Sequence, residues 1–376
     1  MVDELVSTAP AGPEPAGERR LFVVSDLVIL IGGAVLVALA GITYYAKAPT
    51  IVAFISAAAA VALLASLVAR SVEQLGDRFG PGATGVLQSA LGNLPELFIA
   101  FFALRAGLLT VVQSAIIGSM LANLLLVLGA AFLVGGLKHG TQRFEKTPAR
   151  NVCVLLTLAT AALVLPSVAH YSHSPADPHL KSLSTAVAVV LLVIFVLSLP
   201  SAVRRTSAAA ADGQESPAPM HEPPRWPLWL AVGLLTVASG CAALVSDWFV
   251  EALQPTIQTL HLSQAFAGLV VVAIAGNAVE NVVGIQLAYR NQSDYALSVI
   301  INSPLQIALV LAPALVLLSF FTATTLTLVF VPLLVCAVVV TVLIVSLIVF
   351  DGESNWLEGA TLMGLYVIIA ATFWWG

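Results

Sequence analysis

The chain has 376 residues, 59% of them hydrophobic and only 9% charged, with a mean hydropathy of +1.00. Ordinary soluble domains carry about 25% charged residues, so a soluble globule of this size is excluded. A net charge of −5 gives no basis for a nucleic-acid partner.

A spanning helix needs ~20 mostly apolar residues, whereas a membrane barrel would alternate polar and apolar over ~10-residue segments. The runs here are apolar on all sides, which predicts an all-α polytopic membrane protein. Residues 1–21 are rich in Pro, Ala and Glu and read as a disordered tail; residues 22–49 hold an extra first transmembrane helix. Spans are expected at about 27–45, 50–69, 82–104, 108–137, 151–169, 183–199, 227–250, 264–288, 295–320, 322–350 and 357–375, eleven in all. The first run is too long for a signal-peptide core and no small-residue cleavage site follows it, so it is expected to stay in the mature chain.

Residues 201–226, with Arg204, Arg205 and four prolines, read as a linker. It separates a first five-helix half, 50–200, from a second, 227–376. With the N-terminus inside, twelve Lys and Arg fall on the inner side (Arg19, Arg20, Arg70, Arg78, Lys138, Arg143, Lys146, Arg150, Arg204, Arg205, Arg225, Arg290). The outer side takes Lys47, Arg105 and Lys181. That asymmetry predicts a cytoplasmic N-terminus, a cytoplasmic linker and an external C-terminus.

The chain also repeats itself. At an offset of 184, residues 91–130 align with 275–314 without a gap, with ten identities in forty positions. Gly92, Asn93 and Glu96 fall on Gly276, Asn277 and Glu280, and Ser114 and Ser119 on Ser298 and Ser303. Five spans separate the two copies, an odd number, so they must cross in opposite directions, as in the inverted repeats of secondary transporters.

Glu96 and Glu280 lie inside apolar spans, where a charge costs at least ~2.5–3.5 kcal/mol. Asn93 and Asn277 are one turn away on the same helix faces. Gly92 and Gly276 allow the backbone to leave the helix. Pro95 and Pro304 lack an N–H, so in a regular helix the carbonyls of Leu91 and Ile300 would lose their partners. Ser119 and Asn123 in the first copy, and Asn302, Ser303 and Gln306 in the second, add polar groups one turn apart. Carboxylates, amides, hydroxyls and freed carbonyls make an oxygen cage, which suits a hard cation and Ca²⁺ best.

Other polar groups read as structural. Asp294, beside Arg290, is a further polar neighbour of the cage but is expected first to be a helix-start carboxylate, and Asp247, Glu251, Glu73 and Asp77 are expected to be solvated interfacial charges. His170, His173 and His179 with Asp177 form an outer loop expected neither to bind metal nor to sense pH. Cys153, Cys241 and Cys336 lie in separate apolar runs and read as packing residues.

At the repeat residues the sequence resembles the calcium/proton antiporters of the cation/calcium exchanger superfamily. The resemblance runs over GNLPELFIAFFALRAG and GSMLANLLLVLG, over GNAVENVVGIQLAYRNQSDYALSVIINSPLQIALVLAP, and over DGESNWLEGATLMGLYVIIAATFWW at the end of the chain. It implies that Glu96 and Glu280 bind the cation and couple it to protons, with Asn93, Asn277, Ser119, Ser303 and Gln306 as neighbours. The chain departs from the usual motifs at Asn281, where His commonly follows the Glu, at Asn302, and at Leu94 and Pro95. Its short loops and weakly acidic linker resemble prokaryotic members, which implies a plasma-membrane location.

The implied function is exchange of Ca²⁺ for H⁺ by alternating access, extruding Ca²⁺ from the cytoplasm, with the bilayer as surroundings and no cofactor. The alternative is exchange of another cation, Na⁺ against Ca²⁺ or a monovalent cation against H⁺. An intramembrane enzyme is disfavoured, since HExxH, GxGD and GxSG motifs are all missing.

Overall fold

The computed structural model describes residues 21–76, 78, 87–88, 91–211 and 224–375, and of residues 200–211, 279 and 280 the backbone alone. The predicted disordered tail lies outside this range, apart from Leu21. The helices are α1 Val24–Tyr45, α2 Thr50–Gly76, α3 Leu94–Arg105, α4 Leu109–His139, α5 Lys146–Tyr171, α6 Leu180–Ala211 and α7 Leu228–Leu260. There follow α8 Gln264–Gly276, α9 Ala278–Tyr289, α10 Ser293–Phe321, α11 Pro332–Asp351 and α12 Trp356–Trp374. Among the described residues nine helices are long and apolar enough to cross a membrane, and α8 with α9, bent by 63°, makes a tenth crossing if taken together. The fold is all-helical and the protein is an integral membrane protein.

Burial sorts the helices into layers. In its most apolar stretch α4 is 83% buried and α10 61%, against 22% for α1, α6, α7 and α12. The helices carrying the second part of each repeat therefore form the centre, and α1, α6, α7 and α12 are the most peripheral of the long helices. Backbones approach closely there: a Cβ at Gly118 of α4 would stand 2.4 Å from the Leu269 carbonyl oxygen, and one at Gly268 of α8 would stand 2.3 Å from that of Val111. Small residues at such crossings supply the dispersion contact that lipid-surrounded helices depend on.

The regular helices of α4 and α10 are interrupted at matching places. Each has a π-helical stretch, Ala122–Val127 in one and Ile307–Leu311 in the other. A third lies in α8 at Ala267–Val272. Such widened turns gather at functional sites in other proteins.

Three boundaries differ from expectation. The span expected over 322–350 begins only at Pro332, whose fixed φ suits a first helical residue. Residues 322–331 run irregularly instead, and side chains from neighbouring helices satisfy their backbone: Gln113 donates to the carbonyls of Thr327 and Val329, Ser167 to that of Leu328, and the Leu328 and Phe330 N–H groups donate to Ser184 and Ser167. Irregular backbone within a membrane protein survives where protein buries it in this way. In the region read as linker, α6 continues to Ala211. Of the span expected over 82–104, the first part lies mostly outside the described residues, and α3 is the rest.

A two-stranded ladder, β1 Gln142–Arg143 with β2 Glu353–Ser354, joins the loop after α4 to the loop after α11, with an Arg143–Glu353 ion pair at 3.2 Å. Cys153, Cys241 and Cys336 are free.

Candidate ion-binding site

The chain breaks helix at Gly92–Asn93 and again at Asn277, and a short helix starts immediately after each break. Glu96 is the third residue of α3 and Glu280 the third of α9. Both positions fall in the first turn of their helices, where the backbone N–H groups have no helical acceptor. Pro95 fits here without loss. It is the second residue of α3, where its missing N–H would have had no helical acceptor, and the chain has already left the helix at Gly92. A regular helix running through Leu91 and Pro95, in which the Leu91 carbonyl would lose its partner to the ring, is not what forms here. Pro304 does lie inside a helix, just ahead of the π-helical stretch of α10.

Glu96 is 4% exposed. Its Oε1 accepts the Ser119 hydroxyl and lies 3.3 Å from Asn277 Nδ2. Asn277, 1% exposed, also donates to Ser119 Oγ at 3.0 Å and to the Ala273 carbonyl at 3.0 Å. Asn123, fully buried, points its amide N–H groups at the Ser119 carbonyl (3.0 Å), Asn277 Oδ1 (3.2 Å) and Ser303 Oγ (3.1 Å), while its own Oδ1 has no hydrogen-bond partner. Ser303, 4% exposed, reaches Asn277 Oδ1 at 3.5 Å. On the flank, Asn93 Nδ2 donates to Gln306 Oε1 at 3.4 Å.

The line Glu96–Ser119–Asn277–Asn123–Ser303 thus joins residues of both repeat copies in one buried network. Gly276 closes it against Glu96: a Cβ there would stand 3.3 Å from the Glu96 Cγ. The side chain of Glu280 lies outside the described residues, as does the counterpart packing around it.

Not every sequence-predicted residue joins. Asn302 turns back on its own helix, donating to the carbonyl and hydroxyl of Ser298. Asp294 is exposed at the start of α10 and accepts the Glu145 N–H at 2.6 Å, which makes it the helix-start carboxylate expected. Asn281 stands one turn past Asn277, its N–H on the Asn277 carbonyl and its buried Oδ1 without a hydrogen-bond partner. Asn123 was a secondary candidate in the sequence and is central in the fold. The π-helical stretches carry no sequence signal beyond the repeat itself.

Elsewhere, His170 pairs with Asp177 at 2.7 Å, and Glu73 is exposed beside Arg70. Asp247, expected to be solvated, is half-buried on α7. Among the described residues no group of three His, Cys, Asp or Glu is placed to hold a metal. The network offers oxygen donors of mixed charge, the chemistry that hard cations take.

A helical membrane protein with a buried carboxylate on a broken helix, ringed by amides and hydroxyls from both halves, defines the class of secondary ion transporters, not enzymes. The model of the family described as sodium/calcium exchanger protein matches residues 49–202 and 230–375. A Ca²⁺/H⁺ antiporter of Aphanothece halophytica is 36% identical over 332 residues, 85% of this chain and 89% of the relative. The Ca²⁺/H⁺ antiporter ChaA of Bacillus subtilis is 35% identical over 326 residues, 86% and 92% of the two chains. Among solved structures, native YfkE superposes with a TM-score of 0.77 at 34% identity, covering 92% of this chain and 99% of its own. The H⁺/Ca²⁺ exchanger CAX shares the fold at a TM-score of 0.72 and 16% identity, covering 93% and 92%. The chain belongs to the sodium/calcium exchanger protein family. Its relatives are the calcium/proton antiporters that the repeat motifs resemble.

Proposed function

We propose that the protein exchanges Ca²⁺ for H⁺ by alternating access, with Glu96 and Glu280 as the carboxylates for which Ca²⁺ and protons compete. The observation that carries this reading is the network around Glu96. A carboxylate 4% exposed in a membrane core is bonded by a hydroxyl and an amide from two different repeat copies. Asn93, Asn277, Ser119, Ser303 and Gln306 are the surrounding ligands, with Asn123 and Asn281 beside them and backbone oxygens at Leu91, Gly92 and Gly276. In the arrangement described, Ser119 and Asn277 turn their hydrogens toward Glu96; with a cation on Glu96 they present lone pairs instead, so loading reorders the hydrogen bonds between the two copies. That reordering is the step by which occupancy is communicated to the backbone. Two carboxylates can account for two protons per Ca²⁺, an electroneutral cycle, and a third proton would make the cycle electrogenic.

The full architecture on this reading is eleven spans, an extra first helix followed by two inverted five-helix repeats. Matching helix breaks before Glu96 and Glu280 and matching π-helical stretches in α4 and α10 support it. The β1–β2 ladder ties two loops that must share a membrane face if the spans alternate as proposed. Together with the charge asymmetry this supports a cytoplasmic N-terminus, an external C-terminus, and Ca²⁺ extrusion across a prokaryotic plasma membrane. Bacterial relatives named Ca²⁺/H⁺ antiporter support the same reading. Sodium coupling is disfavoured because Leu94, Pro95, Ala278 and Val279, beside the two Glu, carry no side-chain oxygen.

The test is Ca²⁺ flux in proteoliposomes with an imposed pH gradient and no Na⁺. Gradient-driven Ca²⁺ movement is expected; movement only after Na⁺ is supplied would overturn the proton coupling.

A further inference from the structure

A second apolar cluster lies apart from the main core, where the segment leading into α7 meets the end of α2. The N–H groups of Arg225 and Trp226 precede α7 and have no acceptor of its first turn available to them. Gln74, 4% exposed near the end of α2, accepts both on its Oε1, at 2.8 and 3.1 Å. Arg78 donates to the Trp226 carbonyl. The Trp226 indole, 1% exposed, is tilted against Phe22 with ring centres 5.7 Å apart and is buried with Leu67, Val68 and Val72 of α2 and Ala231 and Ala238 of α7. Leu87 and Leu91, which lead into the break at Gly92–Asn93, pack on the same cluster.

The opposite end of the α2–α7 pair has a counterpart. Tyr44, in the last turn of α1, donates its hydroxyl to Glu251 of α7 at 2.6 Å and stacks on Trp248 with ring centres 5.3 Å apart. The end of α1 thus clasps α7, and the segment entering α7 clasps α2.

We propose that Gln74 and Trp226 are positioning residues for the ion site. By holding the end of the inter-half segment on α2 they fix Leu87 and Leu91, and through them the break from which Glu96 projects. The described end of that segment, residues 224–227, is then a strap on the site. This rests on Glu96 being an ion ligand, but its first test does not.

That test places a cysteine at Leu87 (Leu87→Cys) in a chain with Cys153, Cys241 and Cys336 replaced by alanine, and measures its rate of maleimide labelling in membranes. Gln74→Ala and Trp226→Ala are expected to raise the rate about tenfold by freeing the cluster, while Gln74→Glu, which keeps an acceptor oxygen, stays near the parent. Tyr44→Phe, at the other clasp, leaves it unchanged. In proteoliposomes Gln74→Ala is expected to raise the apparent KM for Ca²⁺ severalfold with a smaller change in maximal rate. Trp226→Phe serves where Trp226→Ala does not yield a monodisperse protein. Equal labelling in Gln74→Ala and parent would overturn the strap. Faster labelling with an unchanged KM would overturn its reach to the site. Absence of Ca²⁺/H⁺ exchange in the parent itself would instead count against the proposed function and leave the labelling result standing.

Discussion

Asn93 and Asn277 hold the same place in the two copies of one motif, yet their surroundings differ. Asn277 is buried and bonded within a network that includes Glu96, Ser119 and Asn123; Asn93 is half-buried and reaches Gln306 at 3.4 Å. The cause lies one helix away. On α4, Ser119 and Asn123 are four residues apart and share one face, so they extend a polar line toward Asn277. On α10 the position matching Asn123 is Ile307, and the polar side chain stands one residue earlier, at Gln306. One residue is about 100° of helix rotation, which turns Gln306 out of that line and toward Asn93. A repeat can therefore preserve its carboxylates and still build an asymmetric site around them.

The comparison is sharpest at the carboxylates, where symmetry is expected to hold. Glu96→Gln and Glu280→Gln should each lower Ca²⁺ flux by more than about a hundredfold, since each removes a charge that no neighbour replaces. Both variants should remain folded by size-exclusion profile and circular dichroism. Loss in one and retention in the other would show that a single Glu carries the ion.

At the asparagines symmetry should fail. Asn277→Ala leaves Ser119, Asn123 and Ser303 with buried groups unmatched, about 1–3 kcal/mol for each such group, and should raise the apparent KM for Ca²⁺ tenfold or more, roughly. Asn93→Ala should raise it by about threefold, in keeping with one half-buried contact at 3.4 Å. Equal effects would mean that the network described around Asn277 does not govern binding.

Much of this was legible in the sequence because the signals are strong: long apolar runs, and polar residues that recur at an offset of 184 where lipid would exclude them. The family followed from the same residues. What stayed hidden depends on three-dimensional direction. Nothing local distinguishes Asn302, which bonds to its own helix at Ser298, from Asn123, which bridges the copies. The irregular stretch 322–331 reads as a span because its apolar content is high, and the Gln113, Ser167 and Ser184 side chains that satisfy its backbone lie more than 140 residues away in sequence. Nor does anything local tell Pro95, in the first turn of a restarted helix, from Pro304, which lies inside one.

A finer contrast lies in the hydroxyls and glycines. Ser119 donates to Glu96, whereas Ser303 meets Asn123 and Asn277, so Ser119→Ala should weaken apparent Ca²⁺ affinity about tenfold and Ser303→Ala about threefold. Gly276→Ala places a methyl group 3.3 Å from the Glu96 Cγ and should cost a further severalfold through displacement of that carboxylate. Gly233→Ala and Gly240→Ala on α7, where a Cβ meets nothing within 4 Å, are the matched controls and should change affinity by less than about twofold.

The smallest expected effect separates site from scaffold. Asp294 lies in the second repeat copy and carries a carboxylate, but it is exposed and accepts the Glu145 N–H at 2.6 Å, holding the loop ahead of α5. Asp294→Ala should therefore leave the apparent KM for Ca²⁺ within about twofold of the parent while lowering stability by about 1 kcal/mol, read as a fall in Tm of the purified protein. The two readouts decide between its roles. A carboxylate that gathers cations for the network would move KM and spare Tm, and that result would extend the site from the buried line around Glu96 to the membrane surface.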